Sequence, residues 1–469
     1  MRPVYEVLTQ QDVEKIHETS LRILEEVGVV FQYEPALRLL EKHGAKVDGE
    51  IVRFPRRMVE EKIKTVPQSF MYHARNPEKS FEVNMDDTHY ASPCGAPFVI
   101  DLDRGRREST LEDFNEIVKI CHMLPNLDVH SNIPCEVTEL GDKPTYRRNL
   151  MTYNTLKYSD KPLMGSVDGY ESGKQSIELA AIANGGLDEL NDRTVIGTVP
   201  CPASPLLYDV NMAGAIMAYA EYNQMNMILS FPTAGTTGPV TVAGCAALMN
   251  AEDLAGIILS QCVRPGSPVL YSSGGTSADL FTAGVAIGAP EASILSLITG
   301  QLARYYNMPS SISTFLSDAR SLDSQAAFES ALTGAMAELT RGNMNLHIGM
   351  IESYMTVSYE KLILDDLLIG ELKRICSPVK VDEESLVFDL IKKVGPQGEF
   401  ITDKHTARNF RKNIFYSPMI DRSPIEKWQK QGALTFEQKA NLRWKELLEK
   451  YEEPGLDSEL DKEMQKYLK

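Results

Sequence analysis

From about residue 88 to residue 375, short apolar runs alternate with amphipathic or apolar stretches of helical length. The runs are Thr88–Cys94, Leu127–Pro134, Pro162–Val167, Thr194–Val199, Met225–Phe231, Pro268–Ser273, Ser310–Phe315 and Asn343–Gly349. They start roughly 30 to 45 residues apart, which leaves room for the crossover helix that parallel strands require. Between them, Leu111–Met123, Val210–Asn223, Val242–Cys262, Ala292–Tyr306 and Gln325–Leu339 have helical periodicity or length. Thr110 with Asp113 has capping-box spacing, and Ser324 with Phe328 frames another helix start. The cadence predicts an α/β protein with a (β/α)8 TIM barrel over residues 88–375. In that architecture the loops that follow the strands build the active site.

Both flanks read as helical. Residues 1–87 predict an N-terminal helical cap: Thr9 and Asp12 open a segment in which Val13, Ile16, Ile23, Leu24 and Val27 recur at helical spacing until Gly28. Glu34–His43 and Arg56–Lys64 follow as further helices. Residues 376–469 predict a C-terminal helical extension, with Asp382–Val394 and Phe436–Tyr451 as helices and Gly455–Lys469 as a charged solvated or docking tail.

The net charge of −17 argues against nucleic acid or an anionic membrane as partner, because both select basic faces. The sequence shows no unbroken run of 18 apolar residues and no basic region leading into an apolar one, so the expected location is cytoplasmic. The seven cysteines include no Cys-x-x-Cys pair and fit reduced thiols. The eight histidines form no metal-ligand spacing, so no tightly bound metal is expected.

Three sets of segments carry a family resemblance. They are Leu8-Thr9 with Ile16-His17-Glu18-Thr19-Ser20-Leu21-Arg22-Ile23-Leu24 and Gly28-Val29; Gly349-Met350-Ile351-Glu352-Ser353-Tyr354-Met355-Thr356-Val357-Ser358 with Leu364-Asp365-Asp366; and Gly395-Pro396, Phe400, His405-Thr406 and Phe410-Arg411. Together, in this order along almost the whole chain, they resemble the trimethylamine methyltransferase family. The resemblance implies a (β/α)8 barrel that passes a methyl group from an amine to the cobalt of a corrinoid (cobalamin) held by a partner protein. Trimethylamine-specific members carry pyrrolysine within the barrel. This chain has only standard residues, so it resembles the branch that acts on glycine betaine, or on proline betaine, carnitine or γ-butyrobetaine.

Such chemistry needs little acid–base machinery. A quaternary ammonium that loses a methyl leaves as a neutral tertiary amine, and the protein's tasks are to orient the methyl and exclude water. Aromatic faces hold quaternary ammonium groups, each worth roughly 0.5–2 kcal/mol. The strand-end aromatics Phe231, Tyr271 and Phe315, with Tyr354 beyond the eighth run, are the candidates. Gly274 and Gly275, with Asp279 close behind, could approach a carboxylate or a corrinoid side chain through backbone N–H groups. Ala234–Gly238 offers a similar loop. In Asn343–Gly349, alternation places Asn343, Asn345, His347 and Gly349 on one face, expected to point into the barrel. His347 is thereby a candidate catalytic residue, and Glu352 could offset the substrate cation or orient it.

A non-catalytic betaine-binding subunit would use the same pocket. An aldolase-type barrel is the least attractive enzyme class, because none of the eight runs contains a Schiff-base lysine. An acidic chain with long helical extensions is compatible with a homo-oligomer.

Overall fold

The computed structural model describes residues 4–468 apart from Asn132, Asp142 and Pro418. Its centre is a curled sheet of seven parallel strands. Their spatial order is His89–Tyr90, Met344–Leu346, Ser310–Ser313, Val269–Ser273, Met225–Ser230, Ile196–Thr198 and Leu163–Met164. Each strand lies inside one of the expected runs. The remaining run, Leu127–Pro134, makes a single parallel bridge to each edge, Val129 to Ala91 and His130 to Leu163; Asn132 within it lies outside the described residues.

Register separates the two faces. Ser311 pairs with Met344 and Ser313 with Leu346, while Met227 pairs with Leu270 and Leu229 with Ser272. Met164, Met225, Met227, Leu229, Leu270, Met344 and Leu346 pack together, with Ala91 and Val129, in one cluster that contains no residue of the surrounding helices. This is the enclosed face. Intervening residues such as Ile228, Val269 and Tyr271 pack with the helices.

That outcome corrects the expectation for Asn343–Gly349, because Met344 and Leu346, not the asparagines, point inward. Asn343 instead accepts from the Ser310 amide (2.8 Å) and donates to the Asp87 carbonyl (3.1 Å). Simple alternation of polar and apolar positions fails here because the interior floor is itself apolar.

Eleven helices accompany the sheet: α1 (Gln10–Arg22), α2 (Glu34–Lys42), α3 (Arg56–Ile63), α4 (Leu111–Met123), α5 (Pro144–Tyr158), α6 (Tyr170–Ala183), α7 (Val210–Glu221), α8 (Val242–Val263), α9 (Pro290–Tyr305), α10 (Ser324–Leu339) and α11 (Tyr359–Cys376). The capping box read from Thr110 and Asp113 opens α4 with both reciprocal bonds present. Helix α8 is long and apolar enough to suit a membrane span. Here it is a core helix, and its polar side chains bond within the protein: Asp253 accepts from the Ser230 amide (2.9 Å) and Asn250 from the Tyr271 hydroxyl (2.8 Å).

Residues 4–87 contain the three expected helices together with strands of three residues each, too short for a periodic signal. Val29–Phe31 pairs with Ile51–Arg53 and with Leu207–Tyr208. The hairpin Phe70–Tyr72/Phe81–Val83 sends Tyr72 and Val83 into the enclosed cluster, plugging one end of the sheet. At the other flank, Val387 adopts φ 47° and splits the expected Asp382–Val394 helix into α12 (Glu383–Leu386) and α13 (Phe388–Val394). Beyond α14 (Lys404–Asn413) and α15 (Ile425–Lys430), α16 (Phe436–Glu449) packs on α11, where the Trp444 indole donates to Glu360 (3.0 Å). The charged tail docks through α17 (Ser458–Met464): Met464 is buried and the Tyr153 hydroxyl donates to Asp461 (2.6 Å).

Candidate active site

The segment after Met344–Leu346 reverses direction through five left-handed residues: His347 (φ 79°), Gly349 (77°), Glu352 (57°), Ser353 (53°) and Tyr354 (72°). Four of the five are not glycine, and each such residue costs on the order of 1–3 kcal/mol unless its surroundings impose the conformation. The surroundings do so. The Glu352 and Ser353 amides donate to the Ala319 and Ser317 carbonyls (3.0 and 3.2 Å). The Gly349 amide donates to Asp365 (2.6 Å) on α11, and Lys361 joins that carboxylate (2.6 Å) to the Phe315 carbonyl (2.7 Å). A fully buried ion pair thus ties together the loops after two neighbouring strands.

The left-handed turn at His347 sends its ring against Tyr354, with centroids 4.6 Å apart. Tyr354 in turn meets Phe231 edge-on at 5.8 Å. Phe231 continues the inward-facing series of Met225, Met227 and Leu229 and packs on the enclosed cluster. Three of the residues named from the sequence therefore converge at the mouth.

Asp318 stands beside them and was not singled out from the sequence. It accepts from the Ser353 hydroxyl (2.7 Å) and from the Ile287 and Gly288 amides (3.1 and 2.9 Å), so one carboxylate joins three mouth loops. Its charge, secondary to burial, helps push the Tyr354 phenol above its ordinary range. Glu329 on α10 supports it, accepting from the Ser317 hydroxyl and the Asp318 amide (2.8 Å each). Below the aromatics, register places Ser311 and Ser313 on the enclosed face; Ser313 stands beside the Tyr354 phenol, while among the described residues the Ser311 hydroxyl and Nδ1 of His347 have no hydrogen-bond partner. An unsatisfied buried polar group costs about 1–3 kcal/mol, so Ser311 and His347 are the candidates here for contact with a ligand. Ser311 and Ser313 occupy alternate positions of a run recognised as a strand, and that spacing was the signal available for them.

The other sequence candidates lie elsewhere. Tyr271 points outward to Asn250 and the Tyr306 ring. Phe315 is buried among helix residues, against Gly334 and Tyr90. The amides of Gly274 and Gly275 are occupied by the Ser230 carbonyl (2.9 Å) and Ser273 Oγ (3.0 Å). The first glycine matters for space: a Cβ there would meet the Phe231 ring at 2.6 Å. Asp279 turns the exposed hairpin Thr276–Asp279/Gly284–Ala286 by accepting from the Phe281 amide (2.9 Å). Ala234–Gly238 is a tight turn whose Gly235 and Gly238 amides are bonded within it. Glu352 accepts from Arg106 Nε (2.8 Å) and from Thr356, contacts that outweigh burial and hold its carboxyl below the usual range. It braces the loop and makes no hydrogen bond to His347.

The sequence profile of the trimethylamine methyltransferase family matches residues 1–469. The chain belongs to that family. It is 39% identical to the glycine betaine methyltransferase of Desulfitobacterium hafniense (strain Y51) over 467 residues, 99% of this chain and 97% of the relative. The proline betaine:corrinoid methyltransferase of Eubacterium limosum is 29% identical, covering 88% of this chain and 87% of its own length. The trimethylamine methyltransferase of Methanosarcina thermophila is 28% identical over 98% of this chain and 96% of its own. The monomethylamine methyltransferase of Methanosarcina barkeri shares the fold, with a TM-score of 0.54 at 12% identity over 94% of this chain and 88% of that one.

For this family member, protonation of His347 sets a pH dependence. Burial pushes its imidazole down to about 4, so the ring is neutral at pH 7. Unfolded, it takes up a proton near pH 6.5. Its contribution to stability is therefore complete above about 6.5 and declines as pH falls toward about 4, because the unfolded state binds more protons across that window. Titration of the His347 ring by NMR is expected to show an apparent pKa well under 6; a value of 6.5 or higher contradicts the burial.

Proposed function

We propose that this chain transfers a methyl group from a quaternary amine of the glycine betaine type to the Co(I) corrinoid of a partner protein. The observation that carries the proposal is the pairing, at one mouth, of aromatic faces and the Asp318 carboxylate above the inward-facing Ser311 and Ser313 hydroxyls. Phe231, Tyr354 and the Asp318 carboxylate suit the trimethylammonium end, which offers no hydrogen to donate and is held by charge and ring faces. Deeper, Ser311 and Ser313 can donate to the substrate carboxylate, and charge-assisted bonds of this kind are the stronger ones. A zwitterion bound this way keeps its methyl groups toward the mouth. We also read the curled sheet, with the Val129–His130 bridges at its open edge, as a complete (β/α)8 barrel, whose strand-end loops form that mouth.

The corrinoid, when its carrier docks, supplies the nucleophile. This chain's residues position and desolvate the methyl donor. As the C–N bond breaks, its electron pair stays on nitrogen and the methyl passes to the nucleophile; the amine nitrogen leaves uncharged with the carboxylate still ionised, so no proton moves. A neutral His347 fits this requirement, since an imidazolium beside the ammonium would oppose binding. The close relation to a glycine betaine methyltransferase supports this reading over carnitine or proline betaine.

Loss of the cob(I)alamin absorbance on adding glycine betaine and this protein tests the activity directly. Its absence, with betaine binding retained, would favour a non-catalytic binding subunit. In the same assay Ser311→Ala with Ser313→Ala is expected to raise KM for glycine betaine about tenfold or more, taking roughly 1.5–3 kcal/mol for hydrogen bonds to a charged group. Binding of tetramethylammonium, which lacks a carboxylate, stays unchanged; an equal loss for both ligands contradicts the assigned orientation.

A further inference from the structure

Beyond the strand Val269–Ser273 the chain rises into the hairpin Thr276–Asp279/Gly284–Ala286 before α9 begins at Pro290. The base of the hairpin is built into the mouth. Thr276 and Ser277 pair with Thr233 and Ala234, just past Phe231. The Val285 carbonyl accepts from the hydroxyl of Ser353, the residue before Tyr354 (3.2 Å), and the Ile287 and Gly288 amides end on Asp318 (3.1 and 2.9 Å). The turn is held as well, since the Asp279 carboxylate accepts from the Phe281 and Thr282 amides (2.9 and 3.4 Å). The element is therefore a fixed projection from the rim.

What it carries outward is apolar. Phe281 is fully exposed (102%), with Leu280 (64%) and Val285 (41%) beside it. No charged residue occurs from Leu280 to Pro290, in a chain that is 24% charged. At full exposure the Phe281 ring adds nothing to this chain's own core. Two other mouth loops continue the patch. Met355 (45%) directly follows Tyr354, and Val240 (69%) stands in the loop before α8. That loop meets the hairpin at Gly235, where a Cβ would lie 3.4 Å from the Leu280 side chain.

Size and place select the occupant. These side chains present roughly 500 Å² of apolar surface, the scale of a functional patch on a monomer. Matched by a partner, this gives about 1,000 Å², the class of complexes that form and part repeatedly and about half of what permanent dimers bury. A second copy of this chain seated on the rim would cover the mouth. A nucleophile, by contrast, must come within about 3–3.5 Å of the donor methyl, so whatever carries the corrinoid has to sit on this rim and leave it after each transfer. Given the methyl transfer proposed above, on which the partner's identity rests, we propose that the hairpin tip, with Val240 and Met355, is the docking surface for the corrinoid-carrying protein and packs against an apolar protein surface beside its cofactor.

Binding of a corrinoid protein of the kind that serves methyltransferases of this family, reconstituted with hydroxocobalamin and measured by interferometry against the full chain, tests the surface independently of turnover. Phe281→Asp with Val240→Asp is expected to weaken Kd about 30-fold or more, as for the loss of anchor residues at the centre of an interface. Glycine betaine binding and methyl transfer to free cob(I)alamin stay at the wild-type level. Phe281→Leu, which keeps the tip apolar, retains most of the affinity. Ile375→Asp, exposed at the C-terminal end of α11, leaves Kd unchanged. Circular dichroism confirms that each variant is folded. A wild-type chain inactive with free cob(I)alamin counts against methyl transfer and not against the docking surface, which the binding constant reads on its own. The proposal is overturned by a wild-type chain that does not bind the corrinoid protein or by an unchanged Kd in the double variant. A shift in the double variant's own sedimentation mass also overturns it, because the rim is then a contact between copies.

Discussion

Phe231→Ala combined with Tyr354→Ala raises KM for glycine betaine about 30- to 300-fold while the protein stays folded. Two aromatic contacts to a desolvated quaternary ammonium at roughly 1–1.7 kcal/mol each give about 2–3.4 kcal/mol. Both rings are only partly buried, so truncating them leaves the body of the core intact. Tyr271→Phe is the informative comparison. Its hydroxyl bonds Asn250 on the outer face, and its loss lowers thermal stability with no change in KM. Asp318→Asn belongs with the first group. It preserves the loop geometry in part and removes the charge beside Tyr354, so KM for the cationic donor rises about tenfold, as expected for a loss near 1.4 kcal/mol. Steady-state kinetics of the three variants with cob(I)alamin check these values; an unchanged KM in the double aromatic variant removes the cage.

The second large effect is on stability. Lys361→Met strands the Asp365 carboxylate in a site where both partners are fully buried, and breaking such a pair costs about 3–5 kcal/mol. The substitution also frees the Phe315 carbonyl. Replacing both partners, Lys361→Met with Asp365→Leu, leaves no buried charge and recovers part of the loss, although the Gly349 amide then lacks its acceptor. Urea denaturation of the two variants checks the order: the single substitution is the less stable. The double variant still loses methyl transfer if the pair's role is to hold the His347 and Phe315 loops, because loop geometry and global stability then separate.

Much of this architecture was legible in the sequence because the strands and helices are long enough to declare a period. Seven of the eight runs became strands, and the eighth, Leu127–Pro134, bridges both edges of the sheet. Three-residue strands such as Val29–Phe31 carry no such signal and were read only as gaps between helices. The site was harder. Phe231, His347 and Tyr354 were named, yet His347 reaches the mouth through a left-handed backbone, which alternation could not foresee. Tyr271 and Phe315 sit near strand ends like Phe231 but project outward. Which side a strand-end aromatic takes depends on register, and Ser310 opposite Tyr271 decides it only once pairing is known. Asp318 was missed because it lies in a loop whose partners, Ser353 and Ile287, are distant in sequence.

Substrate charge tests the central claim most directly. Methyl transfer to cob(I)alamin is measured with glycine betaine, dimethylglycine and trimethylamine side by side at neutral pH. A quaternary donor needs no deprotonation, whereas a protonated tertiary amine must first lose a proton, and at this mouth His347 is neutral and Glu352 is engaged by Arg106. The expected result is one methyl equivalent from glycine betaine, with dimethylglycine as product and no turnover of the two tertiary amines. Trimethylamine turning over at a rate comparable to glycine betaine would contradict both the substrate class and the cation site built from Phe231, Tyr354 and Asp318.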